Sequence, residues 1–253
     1  MSPGASVTAH PATWRDDKAP AKRPQSPAES FRFPYYQRLN QRRLEHLASL
    51  GLPLQGRSVL EVGAGVGDLT TFWLDRGCRV HATDGRPAHE AILRQTFAGD
   101  PRLTAGTLDL DEPGADGAEF EIVFCYGLLY HLRDPLRGLE HMSSVCSDLL
   151  LIETCVSVGE GEAINPVEED CKVYSQAISG QGCRPTRAWV FNRLRERFAH
   201  VYCPVTQPAH EEFPLDWSRP APAGALTRAV FVASRKPLDL PALAPGLPPR
   251  QRW

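Results

Sequence analysis

The stretch Ser58-Val-Leu-Glu-Val-Gly-Ala-Gly-Val-Gly-Asp-Leu-Thr70 decides the fold of this 253-residue chain. Its first part predicts a buried central strand of a parallel sheet, because residues 59–62 are mostly β-branched and apolar. Three glycines then alternate with other residues and leave the backbone bare: Gly63, Gly65 and Gly67. The helical spacing that follows puts the first amides of a helix at the carboxyl end of the strand. The stretch therefore predicts a binding turn for a nucleotide-like ligand.

The glycine spacing and a nearby carboxylate narrow the choice of ligand. A dinucleotide fingerprint has the pattern Gly-x-Gly-x-x-Gly, which places bare amides under a pyrophosphate. Here Glu61 precedes the glycines, and a carboxylate at the mouth of the turn suits a cation better than a phosphate. S-adenosylmethionine carries a sulfonium and an ammonium group and has no phosphate. The alternating glycines, with Asp68 after them, therefore favour this cofactor.

Three further predicted strands follow in order, at residues 78–84, 103–110 and 120–127. The first of these ends in Asp84, an acidic residue placed to bind the hydroxyl groups of a ribose. The next ends in Asp109-Leu110. The last is followed by the string Leu-Leu-Tyr-His-Leu-Arg-Asp-Pro at residues 128–135. A glycine turn alone is a weak signal, so the order of these strands carries the argument.

These motifs, in this order, resemble those of the class I S-adenosylmethionine-dependent methyltransferases. The resemblance implies that Asp84 bonds the two ribose hydroxyls and that a residue at 109–110 bonds the adenine amino group. The string at 128–135 is similar to the family's Leu-x-His-hydrophobic-x-Asp-Pro motif. S-adenosylmethionine is the implied cofactor. The residues implied to bind it are Glu61, Gly63, Ala64, Gly65, Gly67, Asp84, Gly85, Arg86, Asp109, Leu110, Cys125 and Tyr126.

The resemblance also implies the fold class, which is α/β. We expect a Rossmann-like seven-stranded sheet in the order 3-2-1-4-5-7-6, with strand 7 antiparallel and helices on both faces. The remaining strands are predicted at residues 148–156, 200–206 and 225–235, and a helix at residues 186–198. A helix at residues 35–50 is the first folded element expected. One methyltransferase domain should span residues 31–236.

Composition limits the partners and the location. The chain has 28 Lys and Arg against 30 Asp and Glu, a formal net charge of −2, so it lacks the basic footprint of a nucleic-acid-binding protein. Its seven cysteines form no Cys-x-x-Cys pair, and no metal site is expected. No apolar run has the length of a membrane span, so we expect a cytoplasmic protein without a membrane partner. Residues 1–30 and the Pro-rich tail at 237–253 are expected to be disordered.

Two long loops leave the carboxyl edge of the predicted sheet, at residues 157–185 and 207–224, and we expect them to be lids over the acceptor. In the first loop, Arg184 and Arg187 lie near a helix start, where both could clamp an anionic group. The alternative is that they pair with the acidic run at residues 168–170. The substrate-binding residues predicted around these loops are Tyr174, Arg184, Arg187, Gln207, His210 and Trp217.

Methyl transfer is an in-line displacement at an activated carbon, so the protein mainly aligns the acceptor and excludes water. We expect metal-independent methylation of an oxygen or nitrogen atom on a small anionic metabolite. A base is optional, and the side chains that could take a proton are His131, His210 and Glu153, with Tyr130 orienting the acceptor. His131 could equally be a structural hydrogen-bonding residue. A homodimer is also open.

Several alternatives remain open on sequence grounds. Glu153-Thr154, then Pro166, Tyr174 and a Pro-Thr helix start, resemble the branch of this family that contains the tRNA wobble-uridine carboxymethyltransferase. An RNA substrate is therefore the main alternative to a small molecule. A binding module without catalysis and a Rossmann dehydrogenase that binds NAD are the alternatives from other classes.

Overall fold

An eight-stranded sheet flanked by helices forms the centre of the computed structural model, which describes residues 26–114, 118–159, 161–221 and 224–253. The helices are α1 (Pro27–Phe31), α2 (Pro34–Ser49), α3 (Thr70–Leu74), α4 (Pro87–Thr96), α5 (Pro135–Ser144) and α6 (Arg187–Arg195). The strands are β1 (Ser58–Val62), β2 (Arg79–Asp84), β3 (Leu103–Thr107), β4 (Phe120–Tyr126), β5 (Cys146–Cys155), β6 (Pro166–Glu168), β7 (Gln181–Cys183), β8 (His200–Pro204), β9 (Arg228–Ser234) and β10 (Leu243–Ala244). A 3-10 turn at Leu129–His131 follows β4.

The strands run across the main sheet in the order β3-β2-β1-β4-β5-β9-β8-β10. β1 lies parallel to both β2 and β4, with Val59 opposite Val80 on one side and Ile122 on the other. β9 lies antiparallel between β5 and β8. When β8 and β9 are counted as strands 6 and 7, the predicted order 3-2-1-4-5-7-6 with strand 7 antiparallel is confirmed. β10 adds an eighth strand, antiparallel to β8, at the edge.

The two faces of the sheet bury separate hydrophobic layers, because successive side chains of a strand point to opposite faces. On β1, Val59 packs into one layer and Leu60 into the other. The first layer is completed by α2, α3 and α4, and Trp73 of α3 is fully buried there. The second is completed by α5 and α6, where Leu139 and Val190 are fully buried. Helices therefore cover both faces, as predicted.

The carboxyl-terminal tail is ordered, so the expectation of disorder there is wrong. Leu243 of β10 pairs with Pro204 of β8, and the Gln251 side-chain amide donates to the Pro204 carbonyl at 2.6 Å. Leu238 and Leu240 pack against the first hydrophobic layer. The many prolines of this segment give it the composition of a disordered tail, but its leucines and its pairing with an open sheet edge hold it in place.

The amino-terminal side also differs from expectation. The predicted helix at 35–50 is present as α2, but α1 precedes it and is capped by the Ser26 hydroxyl, which accepts a hydrogen bond from the Glu29 amide. Most of the expected amino-terminal tail, residues 1–25, lies outside the described residues. No helix within the described ranges is both long enough and apolar enough to cross a membrane.

Candidate active site

An open cleft lies at the carboxyl ends of β1 to β4 and encloses about 660 Å³, including solvent at its mouth. Of the residues that the sequence singled out, the cleft is lined by Gly63, Asp84, Gly85, Arg86, Asp109, Leu110, Tyr126, His131 and Tyr174. The sequence did not point to the other walls, among them Phe31, Tyr36, Asp111 and residues 175–178.

The glycine turn has a backbone that only glycine adopts without strain. Gly63, Gly65 and Gly67 have φ angles of 71°, 57° and 89°, all in the left-handed region. A side chain would also collide with its surroundings, because a Cβ atom would lie 2.9 Å from Leu128 at Gly63 and 2.6 Å from Phe97 at Gly67. The turn is therefore a bare backbone surface, and Gly63 presents it to the cleft.

Asp84 ties the end of β2 to this turn. Its Oδ2 accepts a hydrogen bond from the Gly65 amide at 3.0 Å, and its Oδ1 accepts from the Arg86 amide and from His89 Nδ1, both at 2.9 Å. The carboxylate thus orders the chain that enters α4, which is the structural role an aspartate often has after a strand. Oδ2 has one protein donor among the described residues and keeps capacity for a ligand hydroxyl in the cleft that Asp84 lines.

Glu61 lies behind the turn on β1 and is 2% exposed. Burial raises the pKa of its carboxyl to about 8, and the neighbouring Asp68 carboxylate adds to the rise. Its Oε2 has no hydrogen-bond partner within the described part of the chain. An orphaned carboxylate oxygen beside a bare glycine backbone fits a cationic cofactor group, because a counter-charge would satisfy it. Glu61 itself does not line the cleft.

Two acidic residues that follow β3, Asp109 and Asp111, line the cleft. Oδ1 of Asp109 accepts a hydrogen bond from the Asp111 amide at 2.9 Å. The Asp111 carboxylate accepts hydrogen bonds from the amides of Arg133 and Asp134 at 3.2 and 2.9 Å. Asp111 therefore fixes the string at residues 128–135, and with it the position of His131. The sequence signal that could have identified Asp111 as a residue of the site is its position two residues after Asp109.

His131 is the predicted catalytic side chain that the structure places at the cleft. Its Nδ1 lies 2.5 Å from Oε2 of Glu169, a residue of the first long loop. Glu169 is also approached by the Arg184 guanidinium at 3.4 Å. Arg184 therefore pairs with an acidic residue of its own loop, as in the alternative to the anion clamp. Although burial by itself would raise the pKa of Glu169, His131, the Ala177 amide and Arg184 together hold it below its usual value.

Glu153 is enclosed in a buried chain of ion pairs. It is fully buried, and its carboxylate lies 2.6 Å from the Arg43 guanidinium and 3.1 Å from that of Arg228. Arg228 also pairs with Glu212 at 2.5 Å, and Glu212 in turn accepts a hydrogen bond from the Tyr35 hydroxyl. A carboxylate that is held between two guanidiniums and kept away from the cleft is not a base for an acceptor. The proposed catalytic role of Glu153 does not fit this geometry.

Tyr130 lies between two arginines. The Arg184 guanidinium stands 4.9 Å and the Arg228 guanidinium 5.1 Å from the centre of its ring, and the Arg228 side chain donates to its hydroxyl at 3.4 Å. Burial raises the pKa of this phenol, against the opposing charge of Arg228. Tyr130 is therefore a neutral hydrogen-bonding group and is buried.

Four other predicted residues lie away from the cleft. The Arg187 guanidinium stacks 3.9 Å above the Trp217 ring and donates to the Pro248 carbonyl at 3.3 Å, so it anchors the carboxyl-terminal tail. Gln207, the first residue of the second loop, is buried, and its side-chain amide donates to the Pro214 carbonyl of the same loop. His210 is buried against Tyr35, and burial lowers its pKa to about 4. The anion clamp of Arg184 with Arg187 is not formed.

Two predicted cofactor contacts are packing residues. Cys125 of β4 is fully buried, and burial raises the pKa of its thiol to about 12. Ala64 donates its amide to the Thr83 carbonyl at 2.9 Å and so joins the turn to β2. Neither side chain lines the cleft.

The first long loop forms a wall of the cleft. β6 and β7 make a hairpin, and residues 174–178 between them line the cleft. Arg86 holds this segment by donating to the carbonyls of Cys171, Val173 and Gln176 at 3.1, 3.4 and 3.1 Å. Among the described residues of the second loop, at 207–224, none lines the cleft, and Glu212 of this loop pairs with Arg228 of β9 instead. Within the described ranges, His, Cys, Asp and Glu side chains form no group of three that could hold a metal.

Known proteins resemble this chain in sequence and in fold. Residues 60–148 match a sequence model of a family described as a methyltransferase domain. The tRNA U34 carboxymethyltransferase of Edwardsiella ictaluri (strain 93-146) is 35% identical over 137 residues, which are 51% of this chain and 40% of that protein. The N-terminal domain of EvdMO1, solved in the presence of SAH and D-fucose, matches with a TM-score of 0.61 at 19% identity, over 81% of this chain and 85% of that one. An S-adenosylmethionine-dependent methyltransferase from Mesorhizobium loti matches with a TM-score of 0.56 at 17% identity, over 77% and 98%.

These comparisons confirm the resemblance and the fold that the motifs predicted. The family match begins in β1 and ends in β5, so it contains the glycine turn, Asp84, Asp109 and the string at 128–135. The chain spans about 40% of the length of the tRNA-modifying relative.

Proposed function

We propose that this chain, which contains a methyltransferase domain of the class I S-adenosylmethionine-dependent type, methylates an oxygen or nitrogen atom of a small anionic acceptor. One observation carries the cofactor part of the proposal: an acidic cleft opens on a bare glycine turn, and an orphaned carboxylate oxygen lies behind that turn. When bound, S-adenosylmethionine would supply a methyl group on a positively charged sulfur atom.

The residues of the cleft have distinct roles in this proposal. Asp84 takes the ribose hydroxyls through Oδ2, and Asp109 takes the adenine amino group. Glu61 offers its free oxygen to the ammonium group. The wall formed by residues 174–178 covers the bound cofactor and keeps water away from the reacting carbon.

The acceptor side of the proposal depends on two side chains. His131 lines the cleft and is the candidate base, because Glu153 and His210 are buried in other contacts. Arg184 is the remaining arginine candidate for an anionic group of the acceptor, because its contacts with Glu169 are 3.4 Å long; it also donates to the carbonyls of Cys183 and Tyr130 and does not line the cleft. Arg187 has no part in it, because that arginine anchors the tail.

The test begins with cofactor binding. Isothermal titration with S-adenosylhomocysteine should detect binding to the wild-type protein, and Asp84→Ala should weaken it by roughly tenfold or more through loss of the ribose contacts. Asp100→Ala is the matched control, because this aspartate pairs with Arg102 at the surface and should leave affinity unchanged. Wild-type protein that fails to bind would refute the proposal.

Activity is then measured with S-adenosylmethionine tritiated on its methyl group and a panel of hydroxy- and amino-substituted carboxylates. Transfer of label to a panel member supports a small anionic acceptor. Arg184→Ala should raise KM for that acceptor by a larger factor than it weakens the binding of S-adenosylhomocysteine. An unchanged KM would remove the role of Arg184.

Methylation or a related transfer to tRNA is the second candidate. It is favoured by the tRNA U34 carboxymethyltransferase that matches over 137 residues. The formal net charge of −2 does not favour it. Binding to a tRNA transcript that weakens steeply between low and moderate salt would support this candidate, whereas absence of binding at low salt would exclude it.

A further inference from the structure

We infer that Glu169 is a positioning residue that fixes His131 as the general base of the transfer reaction. Glu169 directly follows β6 and lies in the first long loop. The sequence alone predicts Glu169 only as a possible ion-pair partner for an arginine of its loop. The inference rests on the proposed function, because a general base requires an acceptor from which it removes a proton.

The contact between the two side chains determines which ring nitrogen is available. A carboxylate only accepts hydrogen bonds, so the 2.5 Å contact between His131 Nδ1 and Glu169 Oε2 requires the proton to be on Nδ1. In the neutral ring, Nε2 then carries the lone pair. Within the described residues Nε2 has no protein partner, and His131 lines the cleft. Nε2 is therefore the ring nitrogen that is free to accept a proton from a molecule in the cleft.

The hairpin that presents Glu169 is fastened to the turn that presents His131. The Cys183 thiol donates to the Leu129 carbonyl at 3.6 Å, and the Arg184 guanidinium donates to the Tyr130 carbonyl at 3.3 Å. Gly182 of β7 leaves no room for a side chain, since a Cβ atom there would lie 2.6 Å from the Tyr130 carbonyl oxygen and 2.9 Å from Glu169 Oε1. Glu169 and His131 are thus held at a fixed separation.

Charged and aromatic side chains face His131 from several directions. Glu169 is 3% exposed and faces the ring from the hairpin, and Arg184 approaches Glu169 from the same hairpin. Tyr130 lies beside the ring at 3.9 Å between ring centres. Asp111 lines the cleft from the end of the third strand. Two carboxylates and one guanidinium therefore surround the site, and the nearest charge is the Glu169 carboxylate.

The same carboxylate also holds the wall of the cofactor cleft. The Ala177 amide donates to Glu169 Oε2 at 2.7 Å, and Ala177 belongs to the segment at 174–178. The oxygen that orients the base is therefore the oxygen that keeps the wall in place. Displacing this segment would release His131 as well.

The proton balance of the reaction is simple. As the lone pair of the acceptor forms its bond to the methyl carbon, the bond from that carbon to sulfur breaks and its electron pair stays on sulfur. The proton of the acceptor passes to His131 Nε2, and the resulting imidazolium is paired with the Glu169 carboxylate. His131 returns the proton to solvent when the product leaves.

The first test uses the protein with S-adenosylhomocysteine and needs no acceptor. Nitrogen NMR of protein labelled with 15N-histidine should show the proton of neutral His131 on Nδ1 in the wild type. Glu169→Ala should shift the tautomer population towards Nε2, whereas Glu168→Ala, the exposed neighbour on the same hairpin, should not. A wild-type proton on Nε2, or an unchanged tautomer in Glu169→Ala, would overturn the inference.

The second test uses the acceptor found with the carboxylate panel. Glu169→Gln should lower kcat by roughly 10- to 100-fold, which is part of the usual contribution of general base catalysis. The glutamine carbonyl oxygen can still accept the hydrogen bond from the Ala177 amide, so the affinity for S-adenosylhomocysteine should fall much less than kcat does. Equal losses of kcat and affinity would show that Glu169 acts through the wall and not through His131. Glu168→Gln is again the control.

A double-variant comparison separates positioning from a general structural role. His131→Asn should remove the fall in rate on the acid side of the pH profile, and adding Glu169→Gln to it should cause little further loss. A Glu169→Gln effect of full size in the His131→Asn background would show that Glu169 does not act through the histidine. The tautomer measurement decides the inference if the panel yields no acceptor.

Discussion

Two buried glutamates at the same sheet edge have opposite surroundings. Glu153 lies between the guanidiniums of Arg43 and Arg228, at 2.6 and 3.1 Å. Glu61 has an oxygen without a protein partner in the described part of the chain, and burial favours its protonated form. A carboxylate with two counter-charges gains little from a ligand, whereas an unpaired one gains much. Glu153 therefore belongs to a buried ion-pair network, whereas contact with the cofactor is the role proposed for Glu61.

Cofactor binding should release a proton from Glu61. The pKa of this carboxyl is raised to about 8 by burial, so it is mostly protonated at pH 7 before a ligand binds. An ammonium group favours the charged form, so binding of S-adenosylhomocysteine at pH 7 should release about one proton, and affinity should fall about tenfold per pH unit below 7. Titration calorimetry in two buffers of different ionisation enthalpy measures this release. Equal heats in both buffers would contradict the role of Glu61, and Glu61→Gln should abolish the difference.

His46 should make the protein sensitive to acid. Burial lowers its pKa from 6.5 to about 4, although the Thr206 carbonyl offers a hydrogen bond. Below pH 6.5 the unfolded chain binds a proton that the folded protein does not, so stability is lost as the pH falls from about 6.5 to about 4. The loss is about 3 kcal/mol for this one group. Urea unfolding at pH 7 and pH 4.5 should show a smaller difference for His46→Gln than for wild type. His200→Gln, at a partly exposed position, should not change it.

The sequence predicted residues whose place follows from a strand end, and it missed those whose partners come from distant segments. Asp84 and Asp109 line the cleft because parallel strands end at one edge. Arg187 is next to a predicted helix start, yet its partner is a carbonyl of the tail, 61 positions later. Glu169 was in the acidic run named as a partner for arginine, but its contact with His131 required the hairpin to fold back. The spacing of residues along the chain does not predict contacts between such distant segments.

At the scale of elements, the hairpin of β6 and β7 turns a long loop into part of the cleft. Its backbone pairing, from Pro166 opposite Cys183 to Glu168 opposite Gln181, positions the segment at 174–178. Arg86 at the start of α4 then fastens that segment by three carbonyl contacts. The sequence predicted a lid from loop length and position. It did not predict the hairpin, because strands of three residues leave too short a pattern to recognise.

Loss of the Arg86 side chain should loosen this wall. Arg86→Ala removes the guanidinium that donates to the carbonyls of the loop, so we expect about tenfold weaker binding of S-adenosylhomocysteine. Trypsin should also cut faster after Lys172, which is exposed in the same segment. Arg94→Ala is the matched control, because Arg94 lies on α4 and its ion pair is with Glu90 of the same helix. Unchanged affinity together with unchanged cleavage would show that Arg86 does not hold the wall.

At the scale of the whole molecule, segments from both ends of the described chain complete the structure around the predicted sheet. Arg43 of α2 pairs with Glu153 of β5, so α2 is joined to the sheet through a buried ion pair. The tail adds β10 to β8 and covers Arg187. Periodic apolar patterns predicted the order of the sheet. They did not predict the tail, because its contacts are a few leucines among prolines and not a repeating pattern.

Removal of residues 237–253 should therefore destabilise the entire domain. The deletion exposes the edge of β8, takes away the carbonyl that Arg187 bonds, and removes Gln251, which accepts a hydrogen bond from Trp217 at 2.7 Å. Several part-buried leucines are also lost, each worth about 1 to 2 kcal/mol when partly buried. We expect the melting temperature to fall by about 10 °C, since 1 kcal/mol corresponds to about 2 to 4 °C in a domain of this size. Leu243→Ala should reproduce part of the fall, because this side chain is 9% exposed, whereas Asp239→Ala at an exposed position should have no effect. A truncated protein that melts with the wild type would mean that the tail only rests on a domain that is stable without it.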